Sequence, residues 1–164
     1  MGYYRDMTLV RIVKPGMPHH IYNRGNQKGK VYFVTSDYVY FRKMLRKYSK
    51  KYDLQILAFC LMPNHYHILA IPWDLDSLSK VMRDVGIAYN YYVKKKYKWE
   101  GHVFQSRYKS KVIWNKSYFD VVLKYIKENP REANLSNKKQ RYRWTYFDRK
   151  RILLASLIYQ IINL

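Results

Sequence analysis

Cysteine is almost missing from this chain. Cys60 is the only one in 164 residues. A lone cysteine excludes a disulfide framework and a cysteine-based zinc site. Its setting, the apolar run "ILAFCLM", assigns it to packing. Acidic residues are scarce as well: 11 Asp and Glu stand against 32 Lys and Arg, a formal net charge of +21. A thermophile's charged surface would enrich Glu alongside Lys, so that explanation is disfavoured. Long apolar runs are also lacking. The longest, "ILLASLIYQIINL", is too short to cross a bilayer and carries polar residues, and no signal peptide is visible. An intracellular, cytoplasmic protein with no membrane partner is expected. What is abundant is cation and aromatic ring, including 19 tyrosines. A charge imbalance of this size calls for a polyanion, nucleic acid first. Cations interleaved with rings suit single strands, where bases stack and phosphates pair.

The pattern along the chain reads as a single domain, residues 1–164. The first dozen residues read as a weak strand or an arm. "HHIYNRG" (19–25) is a strand ending in a Gly-containing loop. "TSDYVYFRKMLRKYSKKY" opens with capping residues at Thr35 to Asp37 and continues as a helix with a stripe of Tyr38, Phe41, Met44 or Leu45, and Tyr48. "DLQILAFCLM" and "HYHILAIP" are two strands joined by a turn at "PN". A second helix opens at Asp74 or Asp76, with Leu78, Val81 or Met82, Val85 and Tyr89 inward. "GHVFQSRYKSKVIW" is extended. "NKSYFDVVLKYIKEN" is a third helix, stopped by Pro130. Residues 133–164 are a basic linker and a last helix striped by Leu153, Leu154, Leu157, Ile158, Ile161 and Ile162, a stripe that could serve a dimer or cover the sheet, the second being favoured because a single domain needs its layers closed. This order predicts an α+β fold: a ferredoxin-like βαββαβ antiparallel sheet with helices packed on it and a short helical C-terminal extension.

One segment carries chemistry. In "HYH", strand alternation points His65 and His67 to the same face and Tyr66 to the other. Two neutral imidazoles side by side favour a divalent metal, but two ligands seldom complete a site. The third helix offers Tyr125 and Asn129, four residues apart and therefore on one face. A helix packed on the histidine face would bring a phenol and an amide oxygen beside the ion. Arg24, Gln105, Arg107 and Lys109 are candidate contacts along a DNA path. So are Lys94, Lys95 and Lys96 in "KKKYK" and Arg141 and Arg143 in "NKKQRYR". The plain reading of such runs is a solvated helix end or loop.

Four stretches in order, "HIYNRGN", "FCLMPNHYHILA", "GHVFQSRYKS" and "YIKENPREANL", resemble the REP-associated tyrosine transposases, a branch of the single-tyrosine HUH transposases. The resemblance covers roughly residues 18–132, the expected core. Tyr66 departs from the usual aliphatic residue between the histidines. The resemblance implies that His65, His67 and Asn129 hold Mg²⁺ or Mn²⁺ and that Tyr125 is the nucleophile. It also implies cleavage and rejoining of single-stranded DNA through a 5′-phosphotyrosine link, at hairpin-forming repeats. The rival reading is a non-catalytic nucleic-acid-binding protein. Its RRM form is weakened because "GHVFQSRYKS" lacks the RNP1 pattern. Monomer and homodimer both remain open.

Overall fold

The computed structural model describes residues 11–137 and 140–162, without the Ile162 side chain. The expected arm at the N-terminus and Lys138–Lys139 of the basic run lie outside these residues. The elements are β1 (His19–Arg24), α1 (Thr35–Lys51), β2 (Leu54–Met62), β3 (His65–Pro72), α2 (Ser77–Tyr97), β4 (Lys109–Val112), α3 (Lys116–Glu132), β5 (Thr145–Phe147) and α4 (Arg149–Ile162). The sheet order is β4-β1-β3-β2-β5, and every pairing is antiparallel. This is the ferredoxin-like arrangement with β5 added beyond β2.

Each helix buries the stripe its periodicity dictates. On α1 these residues are Tyr38, Phe41, Met44 and Leu45; on α2 they are Leu78, Val81, Met82, Val85, Tyr89 and Val93. Both helices cover one face of the sheet, on Ile21, Phe59, Leu61, Tyr66, Ile68 and Ala70. The other face carries Leu57, Ala58, Cys60, Met62, Leu69 and Ile71. Over it pack Phe119, Val122 and Ile126 of α3 and Ala155 and Tyr159 of α4. A bulge in β2 between Ile56 and Ala58 makes this possible. One extra residue turns Leu57 and Ala58 to the same side and hands Cys60 and Met62 to the α3 face.

The α1 start is locked by Asp37. Its Oδ2 accepts the backbone N–H groups of Phe33 (2.8 Å) and Val34 (3.0 Å). Lys96 Nζ donates to Oδ1 at 2.7 Å, Tyr92 Oη donates to Oδ1 and Tyr97 Oη to Oδ2. The loop after β1 is pinned to the β2–β3 turn: Val31 N–H donates to the Pro63 carbonyl (2.7 Å) and Gly25 N–H to that of Asn64 (2.8 Å). A Cβ on Gly25 would lie 2.1 Å from the Gly29 carbonyl oxygen, so only glycine fits this approach.

Four expectations need correction. The stretch 101–114 is a strand only over Lys109–Val112; before that, Phe104 makes an isolated bridge to Gly25. Helix α3 does not stop at Pro130 but contains it. The proline sits in the final turn, and beyond it Ala133 N–H still donates to the Asn129 carbonyl at 3.1 Å. The basic linker includes a strand, β5, paired to β2. Finally, α4 turns Ala155 and Tyr159 inward and leaves Leu153, Leu154, Leu157 and Ile161 exposed. Tyr159 decides this rotation, since its Oη donates to the Ile113 carbonyl at 2.6 Å and its ring meets Phe119. Among the described residues no helix is long and apolar enough to cross a membrane.

Candidate active site

β3 is the central strand, and its alternation sends Tyr66 into the α1–α2 core while His65 and His67 face α3. Directly opposed residues of an antiparallel pair share a face. Register therefore adds β1 residues to the site: Arg24 stands opposite His65, Tyr22 opposite His67 and His20 opposite Leu69. On the far side of β1, Lys109 stands opposite Tyr22 and Lys111 opposite His20. One sheet face thus carries three imidazoles, a phenol and three cations.

Helix α3 closes this face. Asn115 starts it, its Oδ1 accepting Tyr118 N–H at 2.8 Å. The buried Phe119, Val122 and Ile126 anchor the helix on the sheet. That rotation sets Tyr125 edge-on to His67, ring centroids 4.8 Å apart at 84°, and 6.4 Å from the His20 ring. Tyr125 is 40 % exposed and reachable from solvent. Asn129, one turn on, is 6 % exposed and stands beside the His65 side chain, close enough to influence its titration. The structure therefore brings His65, His67, Tyr125 and Asn129 of one chain together.

The two strand histidines are held by different partners. His65 Nδ1 lies 2.7 Å from Asn64 Oδ1, while Asn64 Nδ2 donates to the Lys28 carbonyl. An amide oxygen only accepts, so the His65 proton is on Nδ1 and Nε2 carries a lone pair. His67 Nδ1 lies 2.9 Å from His20 Nε2. His67 Nε2 is buried and has no hydrogen-bond partner among the described residues. Burial, reinforced by His20 and His65, pulls the His67 pKa down to about 3. Burial and the nearby Lys111 charge pull His20 down to about 4. Burial lowers His65 too, with the Asn129 side chain opposing it. All three rings are neutral at pH 7, the state in which imidazole binds metal.

Among the described residues no group of three or more His, Cys, Asp and Glu side chains is arranged to hold a metal ion. What the site offers is a different donor set: the His65 imidazole, the His67 Nε2 that no other described residue satisfies, and the Asn129 amide. An orphaned buried nitrogen beside two further donors fits a divalent ion better than it fits a closed core.

The remaining candidates fall into two groups. Arg24 lies on the histidine face and hydrogen-bonds Gln105 Oε1; Gln105 N–H donates back to the Arg24 carbonyl. Lys109 is exposed on the same face, and Arg107 is exposed in the loop before it. The others lie elsewhere. Lys94, Lys95 and Lys96 end α2, across the sheet. The Lys96 ammonium is engaged by Asp37 and by Ser36 Oγ. Arg143 stacks its guanidinium 5.0 Å over Trp144, whose ring packs on Tyr38 of α1. Arg141 is exposed just before β5 at that edge. Tyr108 packs against the α1–α2 core under the Arg11 guanidinium, away from the histidines. Sequence reasoning missed His20, Tyr22, Asn64 and Lys111. The alternation in "HHIYNR" carried a signal for the first two, but assigning their face required the β1–β3 register.

The model of a family described as "Transposase IS200 like" matches residues 15–129. Among solved structures, a REP-associated tyrosine transposase bound to a REP hairpin is similar at 20 % identity with a TM-score of 0.64. The match covers 83 % of this chain and 76 % of that one. A structure from Deinococcus radiodurans R1 named for a transposase is similar at 17 % identity and a TM-score of 0.49, covering 69 % of this chain and 89 % of that one. A bacterial tRNA(His) guanylyltransferase-like protein in complex with GTP follows at 14 % and 0.48, covering 79 % and 71 %. No curated protein matches the chain.

Proposed function

The chain belongs to the IS200-like transposase family, and from that premise we propose that it is a metal-dependent nuclease and strand transferase that cleaves and rejoins single-stranded DNA through Tyr125. The observation that carries the reading is the stance of the solvent-reachable Tyr125 ring beside His67, whose buried Nε2 lacks a partner among the described residues. His65, His67 and Asn129 would hold Mg²⁺ or Mn²⁺. When bound, such an ion supplies Lewis-acid polarisation of the scissile phosphate.

The chain's own residues supply the rest. Tyr125 loses its phenolic proton and its oxygen attacks phosphorus. The P–O3′ bond breaks, the 3′ oxygen leaves as a hydroxyl after taking up a proton, and the 5′ phosphate stays on the tyrosine. Bond count is conserved, so a free 3′-hydroxyl can reverse the step and join strands without ATP. Helix α3 fixes the direction of attack, because Phe119, Val122 and Ile126 prevent it from rolling. Arg24, Gln105, Lys109 and Lys111 border the histidines and would hold the phosphates on either side of the scissile one. Arg107 extends that border. Lys94, Lys95, Arg141 and Arg143 lie off this face and contribute to the general positive field. Because a structure of similar fold was solved with a REP hairpin, hairpin-bearing single strands are the proposed substrate.

The test is a labelled hairpin-bearing single strand incubated with protein and Mn²⁺, then run on a denaturing gel. Wild type should give a protein–DNA adduct that survives boiling in detergent. Tyr125→Phe should bind DNA equally and give none, since it removes one oxygen from a partly exposed ring. An equal adduct from the variant would move the nucleophile elsewhere. No adduct from wild type, with metal and DNA both bound, would favour a non-catalytic binder.

A further inference from the structure

His20 is a buried imidazole for which the proposed chemistry has no use. It sits on β1 between β3 and β4, opposite Leu69 and Lys111, with Tyr22 against it at 5.1 Å and the Tyr125 ring at 6.4 Å. Its Nε2 faces His67 Nδ1 at 2.9 Å, and the two rings lie 5.1 Å apart. The bond has two possible senses, and only one is compatible with metal binding. If His20 donates, the His67 proton must sit on Nε2. That would bury an N–H without an acceptor among the described residues and leave that nitrogen no lone pair for a metal ion. If His20 accepts, the proton sits on His67 Nδ1 and Nε2 presents a lone pair.

We propose that His20 is a positioning residue: its Nε2 accepts the hydrogen bond from His67 Nδ1 and so presents the His67 Nε2 lone pair to a divalent cation. Asn64 does the same for His65, with an amide oxygen that can only accept. The two ligands would then be set by two different acceptors, one in the β2–β3 turn and one on β1. Such supporting hydrogen bonds fix the orientation and the protonated nitrogen of a ligating imidazole. The inference rests on the reading of His67 as a metal ligand, and it adds a role for the first strand, which otherwise contributes only framework and cations.

The first test uses metal-free wild-type protein. Long-range ¹H–¹⁵N correlation of the imidazoles should show His67 protonated at Nδ1 and bare at Nε2; the reverse pattern overturns the proposal. The second measures Mn²⁺ binding by electron paramagnetic resonance. His20→Leu keeps the volume but offers no acceptor, and should weaken Mn²⁺ binding at least about tenfold. His20→Gln offers an amide oxygen and should keep most of the Mn²⁺ affinity that His20→Leu loses. Wild-type Mn²⁺ affinity in folded His20→Leu would overturn the proposal. His67→Ala separates the two levels. If it leaves Mn²⁺ binding untouched, His67 is not a ligand and the reading of the site falls with this inference. If it abolishes binding while His20→Leu does not, only the role of His20 falls. Should His20→Leu fail to fold, the wild-type tautomer decides alone.

Discussion

Lowering the pH from 7 to 5 should destabilise the metal-free protein sharply, and the histidine pocket sets the size of the effect. His67 and His20 have pKa values of about 3 and about 4 in the fold, because burial opposes their charged forms. In the unfolded chain each titrates near the ordinary value of 6.5. The unfolded state therefore binds more protons throughout the interval between, and stability falls as pH falls. It is at its full value above about pH 6.5. At pH 5, protonating an unfolded histidine is worth about 2 kcal/mol, against about 0.2 at pH 7. Two such rings remove about 4 kcal/mol, a large share of a typical 5–15 kcal/mol stability. Burial lowers His19 and His65 as well, which acts in the same direction. Carboxylates contribute little here, since they titrate mainly below this window. Urea unfolding of chelator-treated protein at pH 7, 6 and 5 is the assay. With a slope of about 2 kcal/mol/M, the midpoint should drop by about 2 M. His67→Gln should remove about half of the drop, whatever it does to stability at pH 7. A midpoint that moves by less than about 0.5 M would refute the reasoning, because the imidazoles would then be taking up protons inside the fold.

Two further outcomes follow from where the charges lie. Each phosphate neutralised on a single strand contributes about −0.7 to the slope of log K against log salt. Replacing Arg24, Lys109 and Lys111 together by Ala should flatten that slope by about 2, whereas Lys96→Met should leave it unchanged, since Asp37 already holds that ammonium. Equal flattening by both would mean that the α2 terminus carries the DNA. Asp37 has no side-chain exposure and accepts from Lys96, Tyr92, Tyr97 and the N–H groups of Phe33 and Val34. Burial raises its pKa, but the hydrogen bonds from Lys96, Tyr97, Val34 and Phe33 outweigh burial and hold it below the usual carboxylate value. Asp37→Ala should cost about 3–5 kcal/mol in urea unfolding, the range for breaking a buried pair; a loss under about 1 kcal/mol would show that the knot is dispensable.

Much of this site is legible in the sequence because two periodicities of short range define it. Alternation places His65 and His67 together, and the four-residue spacing places Tyr125 with Asn129. Neither needs knowledge of the rest of the chain. The β-strand and helix order likewise leads to the sheet, since a βαββαβ chain has few ways to close. What stayed hidden depends on long-range register. His20 joins the site only because β1 pairs with β3 one strand away, and Lys111 only because β4 pairs with β1. The bulge at Leu57 is invisible to an alternation count, yet it decides which β2 residues lie under α3. The stripe of α4 misled for a related reason. Helix α4 turns Ala155 and Tyr159 inward with Ile152 and Ile158 beside them, held by the Tyr159 hydroxyl on the Ile113 carbonyl, so its leucines are left outside. Lys96 misled because a basic run gives no sign that one of its members has a buried partner.

The placement of charge also explains how one chain can be both strongly cationic and a host for neutral imidazoles. A cation beside an imidazole opposes its protonation, so a chain with net charge +21 must keep its cations and its site histidines in a controlled relation. Between exposed charges such repulsion is screened within about 10 Å at ordinary ionic strength. Inside the pocket, burial does most of the work: it is the largest cause of the lowered pKa of His20, His65 and His67, and Lys111 adds to it only at His20. The cations meanwhile stand at the rim, on β1 and β4, in the strand positions opposite the site residues rather than among them. A phosphate drawn to that rim would meet donors that repel no cation. Moving one of the rim charges inward, for instance by Tyr22→Lys beside His67, would set an ammonium against any divalent ion in the pocket. The arrangement therefore separates two requirements that conflict at a single point: positive charge for the strand, and neutral lone pairs for the ion.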